Sequence, residues 1–280
     1  MIAVPPSREK LPALVEGFSA APRILAELNR LLRRFFPSVD DVTALLRSDS
    51  ALVTRILRMA NSAQFAGAEP AADIEEAVGR IGLREVHRLV GIAAIAPANL
   101  DGLPLYHVTS RRFREHSLMT ALIMEELARR VEEDAPTCYV IGLLRPLGRL
   151  ALDRLARTLP GEPPFDPLTH PVVDAWEAQR FGLTNVESAQ VILAAWNFPD
   201  EAIKAIGDHY RPAGKHLPLT HLLNLAAGAT EFLGLGLPGE SPYWEPSPES
   251  YTKAGINATG LQLAIHQAQH SFAKLAPALD

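Results

Sequence analysis

Apolar residues recur along this chain with the spacing of amphipathic helices rather than with the alternation of strands. In the first clear example, Ile24, Leu25, Leu28, Leu31 and Leu32 fall on one helical face, with arginines opposite. Similar spacing returns in later segments, and no alternating segment interrupts it. The pattern predicts helices over residues 22–34, 39–47, 51–62, 74–81, 83–95, 110–131, 139–159 with a break, 170–181, 184–196, 200–210, 219–233 and 261–275.

Capping residues mark several of the predicted helix starts. Ser38 and Asp73 precede apolar runs, where a short polar side chain can accept from the first free backbone N–H groups. Thr184 and Glu187 have the spacing of a capping box. Ser247-Pro248 combines a capping residue with a proline at the first helical position. These signals predict short helices joined by short loops.

The longest apolar run, from Tyr139 to Leu152, contains the dipeptide Arg145-Pro146. Pro146 lacks an N–H and clashes with the preceding turn, so we expect a helix to end or kink there. A residue before proline is disfavoured in the helical region, and we expect Arg145 to leave it. A charge at a break in a buried helix is either a paired core charge or part of a site.

Composition places the chain among globular proteins. Of its 280 residues 48% are hydrophobic, and the formal net charge of −5 gives no electrostatic footprint for nucleic acid. The single cysteine, Cys138, rules out a disulfide within the chain and favours a reducing, cytoplasmic location. No stretch has the length and apolarity of a signal peptide or a membrane-spanning helix, so we expect no membrane association.

Proline and glycine punctuation divides the chain. We expect an N-terminal tail at 1–10, a helical subdomain at 11–98, a linker at 99–109 and a second helical subdomain at 110–280. The segment 160–171 carries five prolines and is expected to be an exposed loop. The Gly/Pro-rich segment 234–247 is expected to be a second loop.

Most catalytic motifs are absent from the sequence. It contains no Gly-rich dinucleotide or phosphate loop, no Gly-x-Ser-x-Gly elbow and no His-Glu-x-x-His pair. What remains is the placement of histidines, of which His116 and His209 lie on predicted helices of the second subdomain.

Several segments, in order, resemble the HDOD domain, a family related to the HD superfamily of metal-dependent phosphohydrolases. The most specific is Ser48 to Phe65, which includes Ala60-Asn61-Ser62, and Ile74 to Leu83 follows at the expected distance. The second half is matched at Glu115-His116-Ser117, Ile141 to Gly148, Phe181-Gly182-Leu183, Trp196 to Pro199 and Asp208-His209. The resemblance implies an all-α, multi-helical fold in which an N-terminal bundle of about five helices packs on an HD-like helical subdomain.

The resemblance also implies that the metal site of the superfamily is degenerate here. Its His-Asp pair would stand where this chain has Arg145-Pro146, and neither residue can bind a metal. Asn185 stands where many relatives have histidine, while His116 and His209 are kept. We therefore expect no metal, no cofactor and no catalytic residue, and a relic pocket formed by His116, Arg145, Asn185, Asp208 and His209.

Two details remain open at this level. Arg145 either pairs with a buried carboxylate, such as Asp208 or Glu115, or points to solvent at a helix end. Asn61 and Ser62 either form a contact between subdomains or with a partner, or serve the local end of their helix.

Three functions are compatible with this pattern. We favour a non-catalytic regulatory module of bacterial signal transduction that binds a signalling protein, in cyclic di-GMP or two-component control. The first alternative is an HD-type phosphohydrolase or phosphodiesterase with an unusual site. The second is a sensor in which Arg145 and His209 hold a nucleotide or phosphate.

Overall fold

A computed structural model describes residues 11, 21–34, 38–62, 65, 69–95, 101–159, 161, 163–212 and 218–279. The predicted tail at 1–10 lies outside these residues. The described part is all-α and contains no strand, which confirms the predicted fold class; its one β-bridge joins Leu103 and Val108. Its α-helices are α1 (Ala21–Leu32), α2 (Val39–Leu46), α3 (Ser50–Ala60), α4 (Ile74–Ile81), α5 (Leu83–Ile95), α6 (Ser110–Arg130), α7 (Ala135–Leu144), α8 (Leu147–Arg157), α9 (Val173–Phe181), α10 (Asn185–Ala195), α11 (Asp200–Asp208), α12 (Pro218–Thr230), α13 (Pro248–Ala254) and α14 (Ala258–Leu275).

The predicted capping signals are present at the helix starts. The Ser38 side chain accepts from the backbone N–H groups of the first turn of α2, and Asp73 does the same for α4. Thr184 and Glu187 form the reciprocal capping box of α10. Ser247 caps α13, with proline at the first helical position. Helix boundaries were therefore largely encoded by local chemistry.

The first five helices form the N-terminal bundle, with α1 lying against α5 and α3 against α4. In the second half, α6 is the central helix and is flanked by α7, α12 and α14, while α8 lies against α10. Helix α5 also reaches α7, and the Asn29 amide donates to the Thr137 hydroxyl at 3.1 Å. The two halves therefore share buried contacts.

Two glycines of the central apolar run permit the close packing of the second half. A Cβ on Gly142 would lie 2.7 Å from the Cα of Ala121 on α6. A Cβ on Gly148 would lie 1.7 Å from the carbonyl oxygen of Asn185, at the start of α10. Since neither contact is tolerable, these positions exclude larger residues and bring α7 and α8 against their neighbours.

The break between α7 and α8 falls at Arg145-Pro146, as expected, but the predicted backbone of Arg145 is wrong. Arg145 keeps helical dihedrals (φ −46°, ψ −49°), and Pro146 makes the turn with φ −84° and ψ 9°. Burial of the arginine side chain overrides the steric preference that a following proline imposes. The interruption between α7 and α8 is therefore confined to Pro146.

The predicted linker and one predicted exposed loop both contribute to the interior. Within the predicted linker 99–109, Leu103, Leu105 and Tyr106 are buried. In the predicted exposed loop 160–171, Phe165 is fully buried and its N–H donates to the Leu105 carbonyl at 2.7 Å. Proline content predicted irregular backbone correctly, yet it carried no information about burial.

Candidate functional site

Arg145 is a fully enclosed arginine at the junction of α7 and α8, with 1% of its surface exposed. Its guanidinium lies between two imidazole rings, His116 from the middle of α6 and His209 from the end of α11. Nη1 lies 3.2 Å from Nε2 of His209, and Nη2 contacts Nε2 of His116. The structure therefore excludes the alternative in which Arg145 points to solvent.

Backbone carbonyls determine the tautomers of the two histidines. Nδ1 of His116 lies 2.8 Å from the Leu235 carbonyl, and Nδ1 of His209 lies 2.7 Å from the Ile206 carbonyl. A carbonyl only accepts, so each Nδ1 carries the proton and each Nε2 presents a lone pair to Arg145. Burial, reinforced by the charge of Arg145, lowers the pKa of both His116 and His209 to about 3. Both rings are neutral acceptors.

Glu240 supplies the carboxylate that closes the site. Its Oε2 accepts from Nη2 of Arg145 at 2.9 Å, and its Oε1 accepts from Nη2 of Arg149 at 2.9 Å. The Tyr210 hydroxyl also donates to Oε1, at 2.7 Å. Burial alone would raise the pKa of Glu240, but Arg145 and Arg149 lower it well below its usual range. We call Arg145, His116, His209, Glu240 and Arg149 the Arg145 cluster.

A second buried carboxylate lies beside the Arg145 cluster. Glu177 accepts from the Tyr106 hydroxyl at 2.8 Å and from both the backbone and the side chain of Asn185. The Tyr210 hydroxyl lies 3.2 Å from Oδ1 of Asn185 and so connects the two carboxylates. Burial raises the pKa of Glu177 to about 7, although Arg149 and these donors oppose the rise.

The relic pocket predicted from the sequence is assembled in part. His116, Arg145 and His209 are in contact, and Asn185 joins them through Tyr210. Asp208 is half-buried, and the ion pair of Arg145 is made with Glu240 instead. Glu115, the other predicted partner, accepts from Arg111 one turn before it on α6.

Asn61 and Ser62 make local bonds within the N-terminal half. Asn61 exchanges two hydrogen bonds with the backbone of Ala71, and the Ser62 hydroxyl donates to the Met59 carbonyl. These bonds tie the end of α3 to the segment before α4. They agree with the local alternative, in which both residues serve the end of their helix, and a contact with a partner stays a prediction.

Glu240, Arg149, Tyr210, Glu177 and Tyr106 were missed as site residues by sequence reasoning. Glu240 lies in the Gly/Pro-rich segment 234–247, where no periodicity indicates which side chain turns inward. The one signal available was the second arginine, which lies four residues after Arg145. Residues four apart lie on the same side of a helix, so Arg149 is expected near Arg145. If it is also buried, it needs an anion beside it.

The Arg145 cluster does not fit the metal ion of HD-type sites. Such an ion needs free lone pairs, but both Nε2 atoms accept from a guanidinium and Glu240 is held by two arginines. A metal ion bound to these side chains would also lie next to the Arg145 guanidinium. The two positive charges would repel each other, because arginine does not lose its proton in proteins. Among the described residues, no group of three or more His, Cys, Asp or Glu side chains is arranged to hold a metal.

Trp244 covers one side of the Arg145 cluster. The guanidinium carbon of Arg145 lies 5.8 Å from the centroid of this ring, and His209 stacks on it at 6.0 Å. Next to it, Tyr210 and Tyr243 stack at 4.1 Å with nearly parallel planes. Aromatic rings therefore replace water around the buried charges, which strengthens the electrostatic interactions inside.

Helix length and apolarity give no indication of membrane insertion. In the part of the chain described here, no helix has both the length and the hydropathy needed to cross a bilayer.

Similar proteins share this architecture. A structure of an HDOD domain protein of unknown function from Geobacter sulfurreducens superposes with a TM-score of 0.71, at 19% identity over 98% of this chain and 96% of that one. A candidate signal transduction protein from Marinobacter aquaeolei gives 0.72, at 20% identity over 94% and 60%. A candidate phosphohydrolase from Shewanella amazonensis gives 0.65, at 22% identity over 97% of each chain. At these identities the likeness establishes the fold alone.

Sequence comparisons assign the family. A protein of Treponema pallidum, named only as uncharacterized, is 25% identical over 249 residues, which cover 84% of this chain and 45% of that protein. This chain thus matches less than half of the relative's length. The model of the HDOD domain matches residues 19–212, which is more than half of the chain. The chain therefore belongs to the HDOD domain family, which is related to the HD phosphohydrolases.

Proposed function

We propose that this chain is a non-catalytic regulatory module of bacterial signal transduction that acts by binding a protein partner. The observation that carries the proposal is the guanidinium of Arg145 between the two imidazole Nε2 atoms. A fixed organic cation there supplies positive charge to the fold. It occupies the Nε2 lone pairs of both histidines, which a metal ion would need as ligands before it could activate water for hydrolysis.

The geometry gives no support to an anion sensor at the same place. Arg145 and Arg149 each already form an ion pair with Glu240 through Nη2, and the two imidazoles are neutral acceptors. A phosphate entering the cluster would meet a carboxylate and two lone pairs. It would have to displace Glu240 from a buried site, where that carboxylate has three donors.

A regulatory role is also in keeping with the comparisons. The Marinobacter aquaeolei structure that shares the fold is described as a candidate signal transduction protein. The Treponema pallidum relative is about twice as long as the region matched, so a domain of this kind also occurs as part of a larger protein. Control of cyclic di-GMP or two-component signalling in the cytoplasm is the setting we propose.

Metal content and hydrolysis test the non-catalytic part of this proposal. We expect the purified protein to contain Mn, Fe, Ni and Zn far below one ion per chain. We also expect no hydrolysis of bis(p-nitrophenyl) phosphate or cyclic di-GMP after incubation with each metal. One tightly held ion per chain together with metal-dependent turnover would establish the phosphohydrolase alternative.

A pull-down from cytoplasmic extract of the native bacterium tests the partner. We expect the wild-type chain to retain a specific signalling protein. Arg145→Ala should reduce its recovery, because Arg145 helps to hold the segment around Glu240. Arg30→Ala, at an exposed arginine of α1, is the matched control. Recovery of no specific protein by the wild-type chain would contradict the proposal.

A further inference from the structure

A cavity of about 400 Å³ lies beside Trp244, between α12, the start of α14 and the segment 231–246. This volume lies in the range of sites that enclose a small organic molecule. Its wall is mainly apolar and includes three aromatic rings, those of Phe232, Trp244 and Tyr251. No residue of the Arg145 cluster lines it, although Trp244 contacts both the cavity and the cluster.

The lining of this cavity carries negative charge and no positive charge. Glu231 is the charged residue among those that line it, and no lysine or arginine does so. Within the described ranges, Glu231 has no ion pair, and its one hydrogen bond comes from the Ser241 hydroxyl, at 2.6 Å from Oε1. Its Oε2 is buried over Gly236 and has no hydrogen-bond partner there, so Oε1 is the oxygen left to face an occupant. A carboxylate that lacks a counter-ion beside an apolar cavity favours a cationic occupant.

The aromatic rings supply the other half of the recognition. The faces of tryptophan, tyrosine and phenylalanine attract organic cations, and tryptophan does so most strongly. Trp244 already lies within cation–π distance of Arg145, whose guanidinium carbon is 5.8 Å from the ring centroid. Phe232 is 88% exposed, a costly arrangement for a phenylalanine in water, and it lies among the residues that line the cavity.

The segment that carries these residues is held in place by the Arg145 cluster. The Leu235 carbonyl accepts from His116, and Glu240 binds both buried arginines, so residues 235 and 240 are fixed between Glu231 and Trp244. Gly234, with φ +76°, makes the bend that follows Phe232. The cavity is therefore preformed, which lowers the entropic cost of binding.

We propose that this cavity binds an organic ammonium ion with apolar substituents, held by the Glu231 carboxylate and the rings of Phe232, Trp244 and Tyr251. The occupant is a small amine or quaternary ammonium compound, the opposite charge class from a nucleotide or a phosphate. This site goes beyond the regulatory role proposed above and does not depend on it.

Calorimetry with matched probes tests the site on the wild-type protein. Choline and benzyltrimethylammonium are compared with 3,3-dimethylbutan-1-ol, a neutral molecule with the shape of choline, and with inorganic phosphate. We expect both ammonium ions to bind, choline at least about tenfold more tightly than the neutral alcohol, and phosphate not to bind. Equal affinity for choline and the alcohol, or no heat with either ammonium ion, would overturn the proposal.

A pair of variants assigns the binding to this cavity. Glu231→Gln keeps the shape of the side chain and removes its charge, and it should weaken choline binding at least about tenfold. Glu245→Gln makes the same change at a nearby exposed position outside the lining and should leave binding unchanged. Equal affinities of the two variants would exclude this site. Since neither variant touches the Arg145 cluster, the result is separable from that of the metal analysis.

Discussion

Two clusters of buried charge in this molecule use the same residue types in different ways. The first, the boundary cluster, joins the two halves through Arg84, Arg88, Glu125, Glu126 and Arg129. Its two carboxylates face four arginines, since Arg130 also pairs with Glu126, and Arg84 and Arg129 keep 49% and 32% of their side chains exposed. Water therefore helps to solvate the charges of this cluster, and it can take the place of a single lost contact.

Water does not reach the charges of the Arg145 cluster. Arg145, Arg149 and Glu240 are each at most 1% exposed, and two guanidinium groups share one carboxylate. The remaining acceptors are neutral lone pairs, those of the two imidazoles and the Pro238 carbonyl. Because an unpaired charge in the interior is costly, the loss of one ion pair should destabilise this cluster strongly. The comparison teaches that burial, more than composition, separates a replaceable contact from an essential one.

The largest expected effect is that of Glu240→Gln. The variant leaves two buried guanidinium groups without an anion, so we expect it to lower the free energy of unfolding by about 3–5 kcal/mol. Urea denaturation followed by circular dichroism measures the change. The exposed Glu245→Gln, with the same chemical change, should alter stability by less than about 0.5 kcal/mol. A loss as small as that of the control would show that the cluster is not held by this carboxylate.

The next effect in size is a loss of stability in mild acid. Burial lowers the pKa of His116 and His209 to about 3 and that of His87 to about 4. Below pH 6.5 these histidines therefore become protonated in the unfolded chain while they stay neutral in the folded protein. Glu177, with its pKa raised to about 7, acts in the opposite direction between pH 7 and 4.5. The three histidines outweigh Glu177, so the free energy of unfolding should fall by about 2 kcal/mol as the pH is lowered from 6 to 5.

Urea denaturation at pH 7, 6 and 5 checks this pH dependence. The boundary cluster adds little to it, since arginine keeps its charge and the pKa of Glu125 is lowered by Arg88 and its neighbours despite burial. Equal stability at pH 7 and pH 5 would mean that the histidines are charged in the folded protein. Their Nε2 atoms would then not accept from Arg145.

The smallest effect is expected at the edge of the boundary cluster. Arg84→Ala removes a half-exposed guanidinium from Glu125 and Glu126, while Arg88 and Arg129 remain as their partners. We expect a loss of less than about 1 kcal/mol in urea denaturation. A loss equal to that of Glu240→Gln would remove the distinction between the two clusters.

Most of the fold could be predicted from the sequence because its signals are local. Capping residues such as Thr184 and apolar spacing along α1 act within a turn or two, and the HDOD resemblance supplied the arrangement of the helices. His116, Arg145 and His209 were found because the resemblance placed them at known positions. The tight positions at Gly142 and Gly148 also lie within the matched segments.

The rest of the site depends on contacts between distant segments. Glu240 lies 95 residues from Arg145 in the chain, in a loop where no period distinguishes inward from outward side chains. Tyr106 and Phe165 were assigned to a linker and an exposed loop because proline and glycine indicate backbone irregularity and not burial. The partner of a buried arginine is determined by packing, and composition alone did not select Glu240 over Asp208 or Glu115.

The central claim is that the Arg145 guanidinium takes the place of a metal ion, and titration with Mn²⁺ and Zn²⁺ by calorimetry tests it most directly. Arg145→Ala uncovers Nε2 of His116, Nε2 of His209 and Oε2 of Glu240, whereas Arg145→Lys keeps a positive charge beside them. We expect Arg145→Ala to bind one ion at least about tenfold more tightly than the wild-type chain or Arg145→Lys. A wild-type chain that binds one ion as tightly as Arg145→Ala would contradict the claim.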